Sequence, residues 1–406
     1  MSKRCLPCAL AVFLVAGSPV GVAAQTIEHE SVRDALIHLM GTAVGGPIAA
    51  AVGFSTALEV ANAPFGSSAG GFVFKTDPST GLRVRTAPTF GPSFAERALT
   101  AGEGKVTFGV SLGVATYDKL NRFSLEEMRL GSLTNVRPLD TQTLFSSLVL
   151  SSETLVVSTS IGATDNLDLA VSVPFVKVKL DGTAWVVNGA NQLSELVSAK
   201  ISSAGLGDLA VSGKLRVARF GEEQPDPGGV ALMLTTRLPT GNRENFRGLG
   251  ITRVLGSALV SFGKGRLRPH GNVGFEWWEK NLSVPADVTG GNFRNARHQV
   301  QYAAGVEIGA GPKVTLLFDV VGRHTLGDGS VANQSFAIPP SLAAEGYTSI
   351  EFASATEQGI RKVTVVPGLK WNLKGNFVLS GNALMPVWDN GLRDYFTPVV
   401  GLDWTF

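Results

Sequence analysis

The segment DYFTPVVGLDWTF (residues 394–406) decides the fold of this chain. Taken two at a time, Phe396, Pro398, Val400, Leu402, Trp404 and Phe406 fall on one side. Tyr395, Thr397, Val399, Gly401, Asp403 and Thr405 fall on the other. A period of two is that of a β-strand, and an apolar side opposite a mixed one means that its two faces meet different solvents.

The same pattern recurs from Lys105 onward. Val106, Phe108, Val110, Leu112 and Val114 alternate with Thr107, Gly109, Ser111 and Gly113. Leu167, Leu169, Val171, Val173 and Phe175 alternate with Asp168, Ala170, Ser172 and Pro174. Leu209, Val211, Leu215 and Val217 oppose Asp208, Ser212, Lys214 and Arg216. Further segments lie at 270–277, 299–308, 314–323 and 363–373, with weaker versions near 145–161, 230–239, 254–262 and 376–387. The total is about twelve strands of roughly ten residues, the length that a tilted membrane strand needs.

The connections alternate too. GATDN (162–166), GEEQPDPGG (221–229), GKGR (263–266), GAGPK (309–313) and KGN (374–376) are mostly tight glycine-bearing turns. The intervening connections, 118–142, 180–204, 240–253, 279–297 and 325–360, are long, and only 388–394 is short. A β-sandwich has no reason to sort its loops by parity, whereas an outer-membrane barrel has short periplasmic turns and longer outside loops. Backbone groups in lipid must all be paired internally, so the last strand is expected to seal against the first, with no room for a tail. Trp371, Trp404, Phe406 and Phe377 then fall on one rim and Phe175, Phe275, Trp277 and Phe396 on the other, as two interfacial girdles. The expected fold is all-β: a transmembrane antiparallel up-and-down barrel over 104–406, preceded by a partly helical or irregular segment, 25–103.

Residues 1–24 read as a secretory signal peptide: Lys3 and Arg4 precede the apolar run 9–17, and Val22-Ala23-Ala24 offers a cleavage site. Both cysteines, Cys5 and Cys8, lie in it, so the exported chain would hold together without disulfides. Its loss removes two of 35 basic residues and none of 33 acidic ones, leaving a neutral chain that offers nothing to nucleic acid. Mean hydropathy is +0.19, yet long apolar runs are few, which excludes a bundle of membrane helices. The uncharged stretch Leu39 to Leu58 is rich in glycine and small residues and is expected to pack on protein as helix or coil. Part of 25–103 is expected to plug the lumen or its mouth, or to form a periplasmic arm.

FGPSFAERALTAGEGKVTFGV (90–110), ATDNLDLAVSVPFV (163–176), GLGDLAVSGKLRV (205–217), RLPTGNRENFRGLG (237–250) and HGNVGF (270–275), read together, resemble the bacterial outer-membrane transporter family named for the meta-pathway of phenol degradation. That family is distantly like the long-chain fatty-acid channels. The resemblance covers about residues 70–406 and implies a barrel for passive uptake of small, hydrophobic or aromatic compounds. The terminal strand also resembles the signal read by the barrel-assembly machinery, with Phe406 last and Trp404 two before it.

Function is expected on the inward face. Its candidate lumen-lining charges are Asp168, Lys214, Arg216, Arg237 and Glu276, then Glu307, Asp319, Arg323, Lys370 and Asp403. His270, Asn272, Gln299 and Gln301 join them as uncharged polar candidates. Asp168 and Arg216, near the ends of adjacent strands, are expected to pair across them. Gly205 to Ala210 fits a dinucleotide fingerprint but precedes a strand rather than a helix, which favours a turn. His270 and Asn272 with Ser257 or Ser261 would suit a barrel-borne hydrolase; polar residues bonded to one another on a wet wall are the simpler account. The five histidines have no metal spacing. The expectation is a non-enzymatic channel without cofactor or metal, with outer-membrane lipid, the assembly machinery and a small-molecule solute as partners. A structural or adhesive barrel is the alternative.

Overall fold

The computed structural model describes residues 25–26, 31–41, 46–62, 71–76, 83–85, 87–221, 226–263, 265–285, 293–327, 329–356 and 358–406. The expected signal peptide, residues 1–24, lies outside them.

Twelve antiparallel strands close into a barrel in up-and-down order. They are β1 (Val106–Leu120), β2 (Gln142–Thr164), β3 (Leu167–Asn188), β4 (Leu193–Leu206 continued by Leu209–Arg219), β5 (Gly228–Leu238) and β6 (Arg253–Phe262). Then follow β7 (Leu267–Trp278), β8 (Phe293–Gly311), β9 (Val314–Gly327), β10 (Arg361–Lys374), β11 (Phe377–Asp389) and β12 (Thr397–Thr405). β12 closes on β1 from Val399 opposite Gly113 to Thr405 opposite Thr107. The seam includes Phe406, whose N–H donates to the Val106 carbonyl (2.9 Å) and whose carbonyl accepts from Val106 N–H (3.0 Å). The end of the barrel holding these two residues is its inner end.

The faces are inverted relative to a soluble sheet. Leu232 and Leu234 on β5 are 52% and 56% exposed, and Val273, Phe318, Trp371 and Val400 are exposed likewise. Asp168, Lys214, Glu276 and Asp319 point inward and are buried. Aromatic rings mark both edges of the apolar belt. Phe377 stacks on Trp404 (5.5 Å), Trp404 touches Phe406 (4.8 Å) and Phe220 stacks on Phe262 (5.0 Å) toward the inner end. Phe175, Phe275, Trp277 and Phe396 are exposed toward the other end. An arginine introduced on this belt near its middle is expected to cost about 2–4 kcal/mol. Leu232→Arg should therefore lower the temperature at which the heat-modifiable electrophoretic band unfolds, while Ser212→Lys, on the inward face, should leave it nearly unchanged.

β3 shows where the belt ends. At roughly 3.3 Å per residue and a tilt near 45°, its 22 residues rise about 50 Å, twice the apolar band of a barrel. Even-numbered residues point inward throughout. Up to Phe175 the inward residues are Asp168, Ala170, Ser172 and Pro174, and the outward ones are apolar. Beyond it the inward residues become Val176, Val178, Leu180, Ala184 and Val186, and the outward ones Lys177, Lys179 and Asp181. Lys179 pairs with Glu153 and Lys200 with Asp181 on this outer surface. The backbone keeps its phase while the hydrophobic pattern reverses, as it must where a wall leaves hydrocarbon and begins to enclose an ordinary protein core.

This corrects the reading of 180–204 as a long loop: β3 and β4 run on and meet in a turn at 189–192. The expected loops 118–142 and 325–360 also build wall. Met128–Asn135 pairs with β2 and with Tyr347–Ala355, which pairs with Val331–Phe336.

The core inside this extension is helical. α1 (Val32–Gly41) buries Val32, Leu36, Leu39 and Met40, and α2 (Gly46–Ala61) buries Val52 and Leu58, in one cluster with Leu144, Leu148, Val178, Leu180, Phe246 and Ile350. Gly182 lets α1 approach β3: a Cβ there would sit 3.0 Å from Leu39 Cδ1. The described parts of the stretch Leu39 to Leu58 thus belong to two helices packed on protein, and no helix among the described residues is long and apolar enough to cross a membrane. The loop between β5 and β6, part of the TGNRENF run, clasps the start of α1. Val32 N–H donates to Asn245 Oδ1 (3.1 Å), Arg33 N–H to the Glu244 carbonyl (2.9 Å) and the Arg33 guanidinium to the Glu244 carboxylate (2.8 Å). At the inner end, Phe74–Thr76 and Arg83–Arg85 pair as a small antiparallel two-stranded sheet, in a segment expected to hold no strands.

Candidate functional site

The lumen is occupied from both ends by residues of the N-terminal segment. Toward the inner end, residues 87–101 have no regular secondary structure, so their backbone groups need partners from elsewhere. The wall supplies them. Ala101 N–H reaches both Asp168 carboxylate oxygens (3.1 Å), Gly91 N–H reaches Glu307 (3.1 Å), and Phe94 and Ala95 N–H reach Asp319 (3.4 Å). Ala98 N–H donates to Ser261 Oγ (2.7 Å) and Phe90 N–H to Thr315 Oγ1 (3.1 Å). Lys370 Nζ donates to the carbonyls of Pro92 (2.8 Å) and Phe90 (3.3 Å), and Asn272 Nδ2 to that of Glu96 (3.4 Å). Two charged side chains of the segment enter as well: Arg97 lies 3.5 Å from Glu307, and Glu96 lies 3.5 Å from Lys214. Hydrogen bonds to charged groups contribute about 1.5–3 kcal/mol each. A non-helical strip is thereby tied to β3, β4 and β6 to β10.

Toward the outer end, α2 presents its C-terminus to two pairs of cations. Arg237 and Arg253 stand directly opposite each other on β5 and β6, and Arg323 and Lys362 directly opposite each other on β9 and β10. Like charges at opposed positions repel, so each pair requires an anion. Between the first pair sit the carbonyl of Ala61, accepting from Arg237 (3.1 Å) and Arg253 (2.9 Å), and the Glu276 carboxylate, 3.6 and 3.5 Å away. Arg253 also donates to Asn62 Oδ1 (3.0 Å) and lies 3.5 Å from Asp208. Between the second pair sits Glu59 of α2, one oxygen on Arg323 and the other on Lys362 (2.8 Å), whose ammonium also holds Asp394 (2.9 Å). Burial alone would push the Glu59 carboxyl up; the Arg323 and Lys362 cations outweigh it and hold the group below the ordinary carboxylate range. Cations at a helix C-terminus also meet the negative end of its dipole.

Between the two closures lies a cavity of about 280 Å³. Its lining carries hydroxyls on β1 to β6 and β10, among them Ser111, Ser152, Thr154, Ser158, Ser160, Ser172, Ser212, Thr235, Ser257 and Thr364, interspersed with aliphatic residues such as Val156, Leu255, Val366 and Leu384. Phe94 and Tyr117 are the aromatic residues in its lining.

Of the fourteen residues expected to line the lumen, Arg237, Asn272, Gln301, Arg323 and Asp403 border this cavity. Asp168, Lys214, His270, Glu307, Asp319 and Lys370 are buried beside residues 87–101, and Glu276 lies between the two outer arginines. Gln299 is buried against Thr325 Oγ1 (2.9 Å) and accepts from Gln301 (2.9 Å). Arg216 does not pair with Asp168, because the register sets Lys214 opposite Asp168; Arg216 instead grips Asp226 with two bonds of 2.6 Å. Lys362, Arg253, Asp394 and Glu59 were not among the candidates. Lys362 and Arg253 could have been found by extending the inward parity one step along their strands, whereas nothing local marks Glu59.

The hydrolase-like set is assembled for structure. His270 Nε2 lies 3.0 Å from Asp319 Oδ1, and Ser261, opposite His270, accepts from the Ala98 backbone. Both side chains are buried. Gly205 to Ala210 spans the break in β4, with no helix after it. Among the described residues, no three His, Cys, Asp or Glu side chains gather as metal ligands would.

No family model matches the chain, and no curated protein matches it. Among solved structures it is similar to an outer membrane channel from Pseudomonas putida F1, at 12% identity and a TM-score of 0.45, covering 76% of this chain and 98% of that one. It is also similar to a Pseudomonas aeruginosa FadL homologue (9%, TM-score 0.33, 83% and 96%) and to the P. putida toluene transporter TodX (9%, 0.31, 75% and 91%). Scores this low carry no functional inference.

Proposed function

We propose that this chain is an outer-membrane channel for passive passage of small polar solutes, held closed by its own N-terminal residues. The apolar belt with its two aromatic rims fits a bilayer, and the even strand number puts the first and last residues of the barrel on the same, periplasmic, side. Residues 25–103 serve as the plug, Trp404 and Phe406 as the assembly signal, and 1–24 as the export signal. The observation that supports the solute class is the set of Ser and Thr hydroxyls that the cavity lining carries. Half of the residues lining it are Ser, Thr or charged, set among aliphatic ones such as Val156, Leu255, Val366 and Leu384, so a polar solute finds hydrogen-bond partners along the lumen beside apolar surface of the kind that the aromatic compounds suggested by the family resemblance would need.

Liposomes containing the protein without residues 25–99 should swell in glycerol and pentoses faster than liposomes containing the full chain, and by more than any acceleration of phenol or toluene uptake. Faster uptake of the aromatics alone would replace this reading with the hydrophobic-compound channel. Absence of any solute flux, even from a chain lacking the plug, would favour the structural or adhesive barrel.

A further inference from the structure

We infer that Arg323 and Lys362 form a binding site for small monocarboxylates opening on the central cavity, a site that the chain's own Glu59 fills in the closed form. The inference rests on the channel reading for its biological use and on geometry for its chemistry. Glu59, Arg323, Lys362 and Asp394 all border the cavity. The two cations are held at opposed register positions by adjacent strands, so their separation is set by the wall and not by the helix. Glu59 bridges them with one oxygen each, the mode in which any carboxylate would sit. Asp394 stays with Lys362, anchored on the wall side by Thr397.

Charge counting then sets the class of ligand. With Glu59 in place, two cations meet two carboxylates; with Glu59 withdrawn, one positive charge is left over, which one monocarboxylate neutralises and a dicarboxylate overshoots. Arg323 Nε is buried with no hydrogen-bond partner among the described residues, leaving one donor that Glu59 does not use. A solute carboxylate and α2 therefore compete for one place, and occupation by the solute favours release of the helix.

The test uses the full-length protein in detergent and in planar bilayers, with propionate as probe and propionamide as its neutral counterpart. Glu59→Ala should bind propionate at least about tenfold more tightly than the wild type, in which Glu59 competes, and should not bind propionamide. The added substitution Arg323→Ala should abolish that binding. In bilayers, propionate should lower the current carried by Glu59→Ala and leave that of Arg323→Ala unchanged. If the alanine variant lacks the heat-modifiable folded band, Glu59→Gln, which keeps the shape of the side chain, should give the same ranking. Current through a folded Glu59 variant that is indifferent to propionate, together with no difference between the two probes in binding, overturns the site and leaves the channel reading standing. Propionate binding that depends on Arg323, without current in any variant, supports the site and overturns the channel reading.

Discussion

Deletion of residues 25–99 is expected to raise the single-channel conductance of the reconstituted protein by about tenfold or more, because a twelve-stranded barrel encloses a lumen that must be either filled or wet. The cut removes α1, α2 and nearly all of the irregular strip, and spares Ala101 with its bonds to Asp168 at the start of the wall. The wall should survive it. Glu307, Asp319 and Lys370, which now satisfy the strip's backbone, would face water instead, and a hydrated charge needs no protein partner. The outer extension fares worse, since Val176, Val178 and Leu180 lose the helices they pack on. Proteolysis of the region beyond Phe175 with an intact membrane belt is therefore the expected companion result. Planar-bilayer recording checks the first outcome and limited trypsin digestion the second; a conductance equal to that of the full chain would mean that the solute path does not run through the plugged lumen.

How much of this was legible in the sequence depends on which solvent each residue meets. The belt was legible because lipid on one side and lumen on the other enforce strict alternation, as in Val400, Leu402, Trp404 and Phe406 against Val399, Gly401, Asp403 and Thr405. Beyond Phe175 the same strand still alternates, but Val176, Val178 and Leu180 now oppose Lys177, Lys179 and Asp181. A reading that follows apolar residues loses the strand at the point of reversal, and a continuous wall is taken for a loop. A strand of double length whose apolar phase flips once is what a barrel with an enclosed outer core requires. The inward charges were legible as a set, because parity alone places them. Their partners were not: Glu59 and Arg323 are 264 positions apart, and the acceptors of Lys370 are backbone carbonyls of an irregular strip, which no side-chain pattern announces. The register that puts Asp168 opposite Lys214 instead of Arg216 is set across 180–204, the stretch taken for a long loop where β3 and β4 in fact run on to a turn.

Glu276→Ala is expected to be the most destabilising single change among the lumen residues, at about 3–5 kcal/mol, because it leaves two buried cations facing each other without their shared counter-charge. Glu276 is fully buried, 3.5 Å from Arg253 and 3.6 Å from Arg237, and also accepts from Trp278 Nε1 (2.9 Å). Of the anionic groups near Arg237 and Arg253, the Ala61 carbonyl carries only a partial charge and Asp208 is occupied by the Gly241 and Leu249 amides. Repulsion within the pair would push its guanidinium groups apart and with them the C-terminus of α2, so loss of stability and loosening of the outer closure should appear together. Urea titration of the heat-modifiable band measures the first, and leakage current in planar bilayers the second. Glu276→Gln, which keeps the indole hydrogen bond but loses the charge, should fall between the alanine variant and the wild type. Arg253→Met should cost less than Glu276→Ala, since it removes one of the two repelling charges and leaves Glu276 still paired with Arg237. The reverse order would show that lumen water reaches the cluster and screens it, in which case the grip on α2 rests on Glu59 with Arg323 and Lys362 at the opposite wall.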